Sequence, residues 1–258
     1  AIRNFVGHGE TPEVGELISY DQRAEELGFE SLWAWDHVLL GVDPSFPVLD
    51  SLTILTALAV RTTRIRLGTG VMVLPLRNPV VTAKVLASLD QISAGRLLLG
   101  AASGWYAREF DAVGVSFKDR GRIFERNLDL LVRLWTEDAV TEQVDELNLR
   151  SAVLLPKPVQ KPHPPIVVTA VAPFSKGVTA AAERGWDSIS ANFLQPKWVA
   201  SHWPKYVEGC ETAGRKADPK NWRVAKSIFV ADDDKVAEEY GTVEGAPITS
   251  TTIRCLPN

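Results

Sequence analysis

Hydrophobic positions along the chain follow two alternating periods. Apolar runs of the kind found in buried parallel strands occur at Phe29–Trp35, Ile65–Leu74 and Arg96–Ala102. Between these runs, apolar residues spaced three and four apart predict helices at Leu49–Val60 and Asn78–Ile92. The alternation of strand and helix is typical of parallel α/β folds.

Capping residues define several of the predicted helix ends. Thr11, Pro12 and Glu13 indicate the start of the first helix, and Gly28 indicates its end. The remaining predicted strands are Ile2–Gly7, Ile166–Ala170, Ser188–Phe193 and Arg223–Val230, and the remaining helices are Tyr106–Ala112, Gly121–Thr136, Ser175–Arg184, Lys197–Ala213 and Asp234–Tyr240.

One proline-rich segment interrupts this rhythm. Ser151–Pro165 contains five prolines, so we expect an extended, ordered crossing there. The chain otherwise forms seven strand–helix units, one fewer than a (β/α)8 barrel requires, and the tail Gly241–Asn258 is too short to supply the eighth. We therefore predict one domain over 1–258, a TIM-type barrel with an inserted segment and no recognisable eighth unit. A doubly wound sheet is the alternative.

Composition excludes several functional classes. The 258 residues are 45% hydrophobic and 23% charged, which is an ordinary globular profile, and the net charge of -4 argues against a nucleic-acid partner. No apolar run reaches the roughly 20 residues of a membrane span, and the opening Ala1–Val6 is too short for a signal peptide. Two cysteines, Cys210 and Cys255, predict free thiols in a reducing cytoplasm.

Candidate chemistry concentrates where predicted strands end. His37 follows a strand, and an imidazole there is suited to cofactor contact or proton transfer, although a turn-capping role is equally compatible. Gly68-Thr69-Gly70 lies inside a strand and indicates either a bulge or the close approach of a ligand. The segment Gly100–Tyr106, at the end of a predicted strand, contains small residues, hydroxyls and a tryptophan. These residues suit contact with a flat ring or simple packing of helix against strand.

Two further clusters have simple structural explanations as alternatives. Val171–Gly177 joins a strand to a helix, so its amides are suited either to phosphate or to an ordinary cap by Ser175. Asp232-Asp233-Asp234 is typical of a solvated turn and helix cap rather than a metal site. The four histidines have no zinc spacing, and we expect no metal.

Six short motifs together resemble the bacterial luciferase-like superfamily of flavin-dependent oxidoreductases. They are Leu-Gly-Thr-Gly-Val at 67–71, Leu-Pro-Leu-Arg-Asn-Pro at 74–79, Leu-Asp-Gln-Ile-Ser-Ala-Gly-Arg at 89–96, Gly-Trp-Tyr-Ala-Arg-Glu-Phe at 104–110, Arg-Gly-Arg-Ile-Phe at 120–124 and Pro-Lys-Pro-Val-Gln-Lys-Pro at 156–162. The resemblance covers about Asn4 to Val230. It implies an α/β barrel with a flavin-type cofactor at the carboxyl ends of the strands.

The resemblance also implies roles for particular residues. His37 would be the catalytic residue, and the cofactor would contact Trp35, Asp36, His37, Thr69, Gly70, Ser103, Gly104, Tyr106, Ala172 and Ser175. The turn at 171–177 departs from the Gly-rich form common in the family, which weakens the assignment of the phosphate contacts. The resemblance further implies a homodimer.

The family divides by cofactor. One branch uses reduced FMN, which a separate flavin reductase can supply, and inserts one oxygen atom into an organic substrate. The other uses a deazaflavin and transfers hydride. The Asp36-His37 pair and Pro75–Pro79 resemble the deazaflavin branch, whereas Gln195–Trp198 and the following helix through Cys210 resemble FMN-using oxygenases. We favour an FMN-dependent monooxygenase. The alternatives are a deazaflavin-dependent oxidoreductase and a non-catalytic barrel that has lost its cofactor.

Overall fold

The computed structural model describes residues 2, 4–41, 45–228 and 230–242. They form two compact units, the first extending to Ile166 and the second beginning at Val167. The first unit contains helices α1 (Val14–Glu26), α2 (Ser51–Ala59), α3 (Pro79–Ile92), α4 (Ala107–Val113) and α5 (Arg120–Thr136), and strands β1 (Ser31–Ala34), β2 (Arg66–Thr69), β3 (Met72–Val73), β4 (Leu97–Ala102), β5 (Val140–Val144) and β6 (Leu147–Ala152).

The sheet of the first unit is parallel, as the continuous apolar runs predict. β1 pairs with β2, β2 with β4, and β3 also pairs with β4. The predicted strand 65–74 is divided at Gly70, whose amide donates to the Ala34 carbonyl at 2.6 Å. The carboxyl ends of these strands therefore lie along one edge of the sheet, where the loops after β1, β2 and β4 begin.

The predicted first strand is described in part, because Ala1 and Arg3 lie outside the described residues. The Ile2 amide donates to the Trp33 carbonyl at 2.8 Å, and Phe5 forms an isolated antiparallel bridge with Val48. This segment thus passes beside β1 and ends close to the loop that follows it.

Helix ends agree with the capping residues at Asn78 and Gly28 but not at the start of the first helix. Asn78 accepts hydrogen bonds from the Val80 and Val81 amides, which confirms it as the cap of α3. Gly28 has φ +82°, as expected where a helix ends. α1, however, begins at Val14 and not at Thr11, because Gly7 and Glu10 close a turn that leaves 11–13 outside the helix.

The proline-rich crossing is ordered, as predicted. The Gln91 side chain donates to the Lys157 carbonyl at 2.8 Å, and Gln160 donates to Asp90 at 2.8 Å. The antiparallel hairpin β5–β6 that precedes the crossing was not predicted. Its turn passes through Asp145 at φ +48° and lacks the Asn-Gly or Asp-Gly pair that signals a tight hairpin.

The second unit contains β7 (Ile166–Ala170), α6 (Lys176–Glu183), β8 (Asp187–Ser190), α7 (Pro196–Ala200), α8 (His202–Thr212), β9 (Trp222–Val224) and α9 (Asp234–Thr242). β7, β8 and β9 are parallel neighbours in that order. The predicted helix 197–213 is divided at Ser201, and the predicted strand 223–230 ends at Val224. Residues 243–258, including Cys255, lie outside the described residues.

Close packing of α6 and α8 builds the core of the second unit. At Gly209 a Cβ atom would lie 2.3 Å from the Thr179 carbonyl oxygen, so only glycine permits this approach. The buried residues around the contact include Val178, Tyr206 and the free thiol of Cys210. None of the described helices is long and apolar enough to span a membrane.

Candidate active site at the strand ends

His37 is paired with a carboxylate that lies 72 positions further along the chain. Its Nδ1 lies 3.1 Å from Oε2 of Glu109, which belongs to the first turn of α4. The side chain of Glu109 is 1% exposed and that of His37 is 12% exposed. Oε1 of Glu109 also accepts hydrogen bonds from the amides of Val38 at 2.6 Å and Leu39 at 3.1 Å.

These contacts determine the ionisation of Glu109 and the hydrogen-bonding role of each His37 nitrogen. Burial tends to raise the pKa of the Glu109 carboxyl, but the hydrogen bonds from His37, Leu39 and Val38 outweigh burial and hold this pKa below its ordinary value. An ionised carboxylate can only accept, so Nδ1 of His37 must donate. The remaining ring nitrogen, Nε2, is then the one that can accept or donate a proton toward a ligand.

Asp36, the neighbour of His37, is directed into the protein. Its carboxylate accepts hydrogen bonds from the Ser51 hydroxyl at 2.7 Å, the Val73 amide at 3.0 Å and the Arg77 guanidinium at 2.6 Å. Arg77 also donates to Asp50 at 3.0 Å. This network connects the end of β1 to α2 and β3, so it positions the backbone that carries His37.

Protein packing accounts for the glycines in β2 and β4. A Cβ at Gly68 would lie 2.6 Å from the Trp33 ring, and one at Gly100 would lie 2.0 Å from the Thr69 carbonyl oxygen. The Thr69 hydroxyl is buried and donates to the Gly100 carbonyl at 2.7 Å. At Gly68 and Gly100 the small residues therefore let strands and a tryptophan approach closely. Gly70, at the end of β2, is partly exposed.

The turn after β4 carries the aromatic part of the site. Gly104 has φ +84°, and a Cβ there would lie 2.6 Å from Val73, so both its conformation and its surroundings require glycine. Trp105 is 70% exposed, with its ring edge-on to the His37 ring at a centroid separation of 6.2 Å. Tyr106 lies against Trp105 at 5.3 Å, and Ser103 is half-buried on the same turn.

A cavity of about 270 Å³ opens beside Trp105 and Tyr106. Its other lining residues come from the segment before α1 and from the loop after β1. They are Phe5, Leu40, Gly41 and Phe46. Trp35 supports this wall from behind, because its ring stacks on Phe5 at a centroid separation of 4.4 Å.

The predicted phosphate turn belongs to the second unit. The Ala172 carbonyl accepts a hydrogen bond from Nε2 of His202 at 2.8 Å, and Nδ1 of His202 lies 2.8 Å from the Ser190 hydroxyl. His202 is fully buried, so the pairing holds the turn and is unsuited to substrate chemistry. Ser175 precedes α6 and makes no side-chain capping bond, so its hydroxyl does not occupy the first amides of this helix, although the Val178 amide donates to the Ser175 carbonyl at 3.1 Å.

The sequence prediction missed three residues that organise these sites. Glu109, Arg77 and His202 each make contacts across 30 or more positions. The only sequence signal for Glu109 was its place in the Gly-Trp-Tyr-Ala-Arg-Glu-Phe motif. The acidic cluster caps a helix, as predicted, since Asp233 accepts a hydrogen bond from the Lys235 amide at 2.8 Å. Among the described residues, no three His, Cys, Asp or Glu side chains form a group that could hold a metal ion.

The sequence of this chain is similar to those of known oxidoreductases. Residues 1–249 match the family model for luciferase-like monooxygenases. The chain is 34% identical over 222 residues to the 4-hydroxyprotoasukamycin monooxygenase of Streptomyces nodosus subsp. asukaensis, covering 83% of this chain but only 58% of that protein. It is also 34% identical over 245 residues to the F420-dependent glucose-6-phosphate dehydrogenase of Kineococcus radiotolerans, covering 92% and 70%.

The fold also matches solved structures. The oxygenating constituent of 3,6-diketocamphane monooxygenase from Pseudomonas putida, solved in complex with FMN, superposes with a TM-score of 0.81 at 22% identity. The match covers 94% of this chain and 69% of that one. The superposition confirms the predicted fold class, an α/β barrel.

Proposed function

The chain belongs to the luciferase-like monooxygenase family, and on that premise we propose that it is an FMN-dependent monooxygenase acting on a small organic substrate with oxygen. The observation that carries the proposal is the His37–Glu109 pair. It couples an imidazole at a strand end to a buried carboxylate, 3.1 Å away, beside exposed aromatic residues. Such a pair is suited to acid–base chemistry near neutral pH.

The residues at this edge of the sheet fit a flat aromatic cofactor with polar edges. Trp105 presents an exposed indole, and Ser103 and Tyr106 supply hydroxyls on the same turn. Gly70, which directly follows β2, is partly exposed to solvent, so a ligand could approach its backbone. We propose that these residues and His37 hold the ring. The cofactor, when bound, supplies the redox chemistry, while the protein orients it and controls protons.

In this scheme His37 acts through Nε2. Glu109 keeps Nδ1 as a donor, so it fixes the orientation of the ring and leaves Nε2 as the nitrogen available for proton transfer. Asp36 acts one step further away, because its three protein donors immobilise the backbone before His37. Trp35 supports the wall beside the site through its stacking on Phe5.

We propose that the turn at Ala172 to Ser175 contacts the cofactor phosphate. The uncapped start of α6 supports this assignment, because free amides at a helix start attract anions. His202 holds the turn from beneath by its hydrogen bond to the Ala172 carbonyl, 2.8 Å away. The phosphate would therefore bind to a turn whose backbone His202 already holds in position.

A deazaflavin-dependent hydride transfer is the second candidate. The motifs around Asp36 and Arg77 and the 34% identity to an F420-dependent dehydrogenase favour it. Part of this support has a structural explanation, because Asp36 and Arg77 form an internal ion pair at 2.6 Å. Those motifs then reflect packing as much as cofactor choice, which is why we retain FMN as the first proposal.

We further propose a homodimer formed through α3. Val81 is 61% exposed on this helix, and Val85 and Ile92 are also exposed. Leu155 of the proline-rich crossing extends the same apolar surface, since Lys84 of α3 donates to its carbonyl. An exposed apolar helix face of this kind is typical of an association surface. A separate flavin reductase would supply reduced FMN.

Cofactor titration tests the proposal. We expect calorimetry to give micromolar binding of FMN and weaker binding of the deazaflavin. The reverse order would replace the monooxygenase by the hydride-transfer alternative. Binding of neither cofactor would favour the third possibility, a barrel that has lost its cofactor. Absorbance spectra of the same mixtures provide an independent readout, because the flavin spectrum changes when its ring leaves water.

A further inference from the structure

The cavity beside Trp105 has walls that come from three separate segments. Phe5 lies near the start of the chain, Leu40 and Phe46 belong to the loop after β1, and Trp105 and Tyr106 follow β4. The Phe46 amide donates to the Leu40 carbonyl at 2.9 Å, which joins two of the lining residues directly. The cavity is therefore a built feature of the first unit.

The chemistry of the walls is almost entirely apolar. No charged side chain is among the lining residues in the described part of the chain. Among the described residues, Glu109 is bound to His37 and two amides, and Arg77 is paired with Asp36 and Asp50. An anionic ligand would lose its hydration here with no lysine or arginine among the described lining residues to compensate, which is costly.

The location of the cavity connects it to the proposed reaction. Trp105 forms one wall and also contacts the His37 ring at a centroid separation of 6.2 Å. A molecule in the cavity would thus lie against Trp105, whose ring contacts that of His37, the residue that we propose for proton transfer. A flavin ring fits this space poorly, because its carbonyl and N–H edges need hydrogen-bonding partners that these walls scarcely provide.

We propose that this cavity binds the organic substrate, and that the substrate is an uncharged, mainly apolar molecule. The inference rests on the proposed function. The volume of about 270 Å³ lies just below the usual range for ligand pockets. At roughly 30 Å³ for each water-sized group, it accommodates on the order of nine or ten non-hydrogen atoms. Sulfonates, phosphates and sugar phosphates are excluded as substrates by the same walls.

Titration with two ligand series tests this assignment. The first is 2-alkanones of four to twelve carbons, and the second is alkanesulfonates of matching length, each added to the protein with FMN present. We expect ketone affinity to rise about fourfold per methylene and to level off near ten non-hydrogen atoms. Each sulfonate should bind at least tenfold more weakly than its matching ketone. Sulfonates that bind as tightly as ketones, or affinity independent of chain length, would overturn the inference.

A pair of variants locates the binding. Leu40→Arg places a cation in the wall, so we expect ketone affinity to fall at least tenfold and sulfonate affinity to rise. Leu27→Arg, at an exposed position after α1, is the matched control and should change neither. Equal effects of the two variants would contradict the inference.

Cofactor binding separates this inference from the proposed function. FMN affinity should be the same in wild type and in both variants. If FMN does not bind to wild type, the proposed function fails. If FMN binds but ketones do not, only the substrate assignment fails. If FMN displaces a bound ketone, the cavity holds the flavin ring and the substrate assignment is wrong.

Discussion

Replacing Asp21 by asparagine should stabilise the protein at alkaline pH. Asp21 lies on the inner face of α1 and is fully buried. Both of its carboxyl oxygens lack a hydrogen-bond partner within the described residues. Burial raises the pKa of this carboxyl from 3.8 to about 7. The folded protein therefore retains a proton that the unfolded chain releases near pH 4.

The sign and size of the effect follow from this shift. Because the pKa is raised in the folded protein, the contribution of Asp21 to stability is most favourable below pH 3.8. It falls as pH rises toward 7 and is constant above that value. Each pKa unit corresponds to about 1.4 kcal/mol, so Asp21 costs about 4 kcal/mol of stability at pH 8, where it is ionised, but less than about 2 kcal/mol at pH 5, where it stays protonated in the folded protein. The asparagine side chain of the variant has no ionisable group and loses nothing over this range.

Urea unfolding followed by circular dichroism measures the difference. We expect the stabilisation by Asp21→Asn, relative to wild type, to be about 3 kcal/mol larger at pH 8 than at pH 5. Glu16→Gln, at an exposed position of the same helix, is the control and should show no comparable change with pH. If Asp21→Asn and wild type keep a constant difference between the two pH values, the carboxyl is not protonated in the folded protein and the reasoning is wrong.

The remaining predictions concern the site and the assembly. His37→Ala should lower turnover with saturating reduced cofactor by roughly 100-fold, with only a small drop in the thermal midpoint from loss of the bond to Glu109; an unchanged turnover would make His37 a turn residue, and a drop of many degrees in the midpoint would make it structural. Glu109→Gln should lower kcat more than it changes KM. It should also destabilise the protein at pH 7, and this destabilisation should decrease as pH falls below 4.5, the ordinary pKa of the carboxyl, because a carboxyl whose pKa is lowered in the folded protein contributes its full stability only above the ordinary value; a destabilisation independent of pH would contradict this. Light scattering at micromolar concentration should give a dimer mass that Val81→Asp converts to a monomer mass, and a wild-type monomer would refute the assembly.

The order and type of most elements were predictable because they depend on local properties of the chain. Hydrophobic periodicity distinguishes a buried strand such as β4 from an amphipathic helix such as α3 without knowledge of distant contacts. Capping is also local, as Asn78 illustrates at the start of α3. Where the local signal was weak the prediction failed, as at the β5–β6 turn through Asp145.

The sequence by itself determined that the site lies at a set of strand ends, and it identified the family whose motifs are found there. His37 and the turn from Ser103 to Tyr106 belong to that set, because strands of one parallel sheet present their carboxyl ends at the same edge. Only the tertiary structure decided which partners meet there. It paired His37 with Glu109, directed Asp36 toward Arg77, and built an apolar cavity from three segments. These contacts join residues far apart in the chain, and their geometry depends on strand register and loop paths, which no local periodicity specifies.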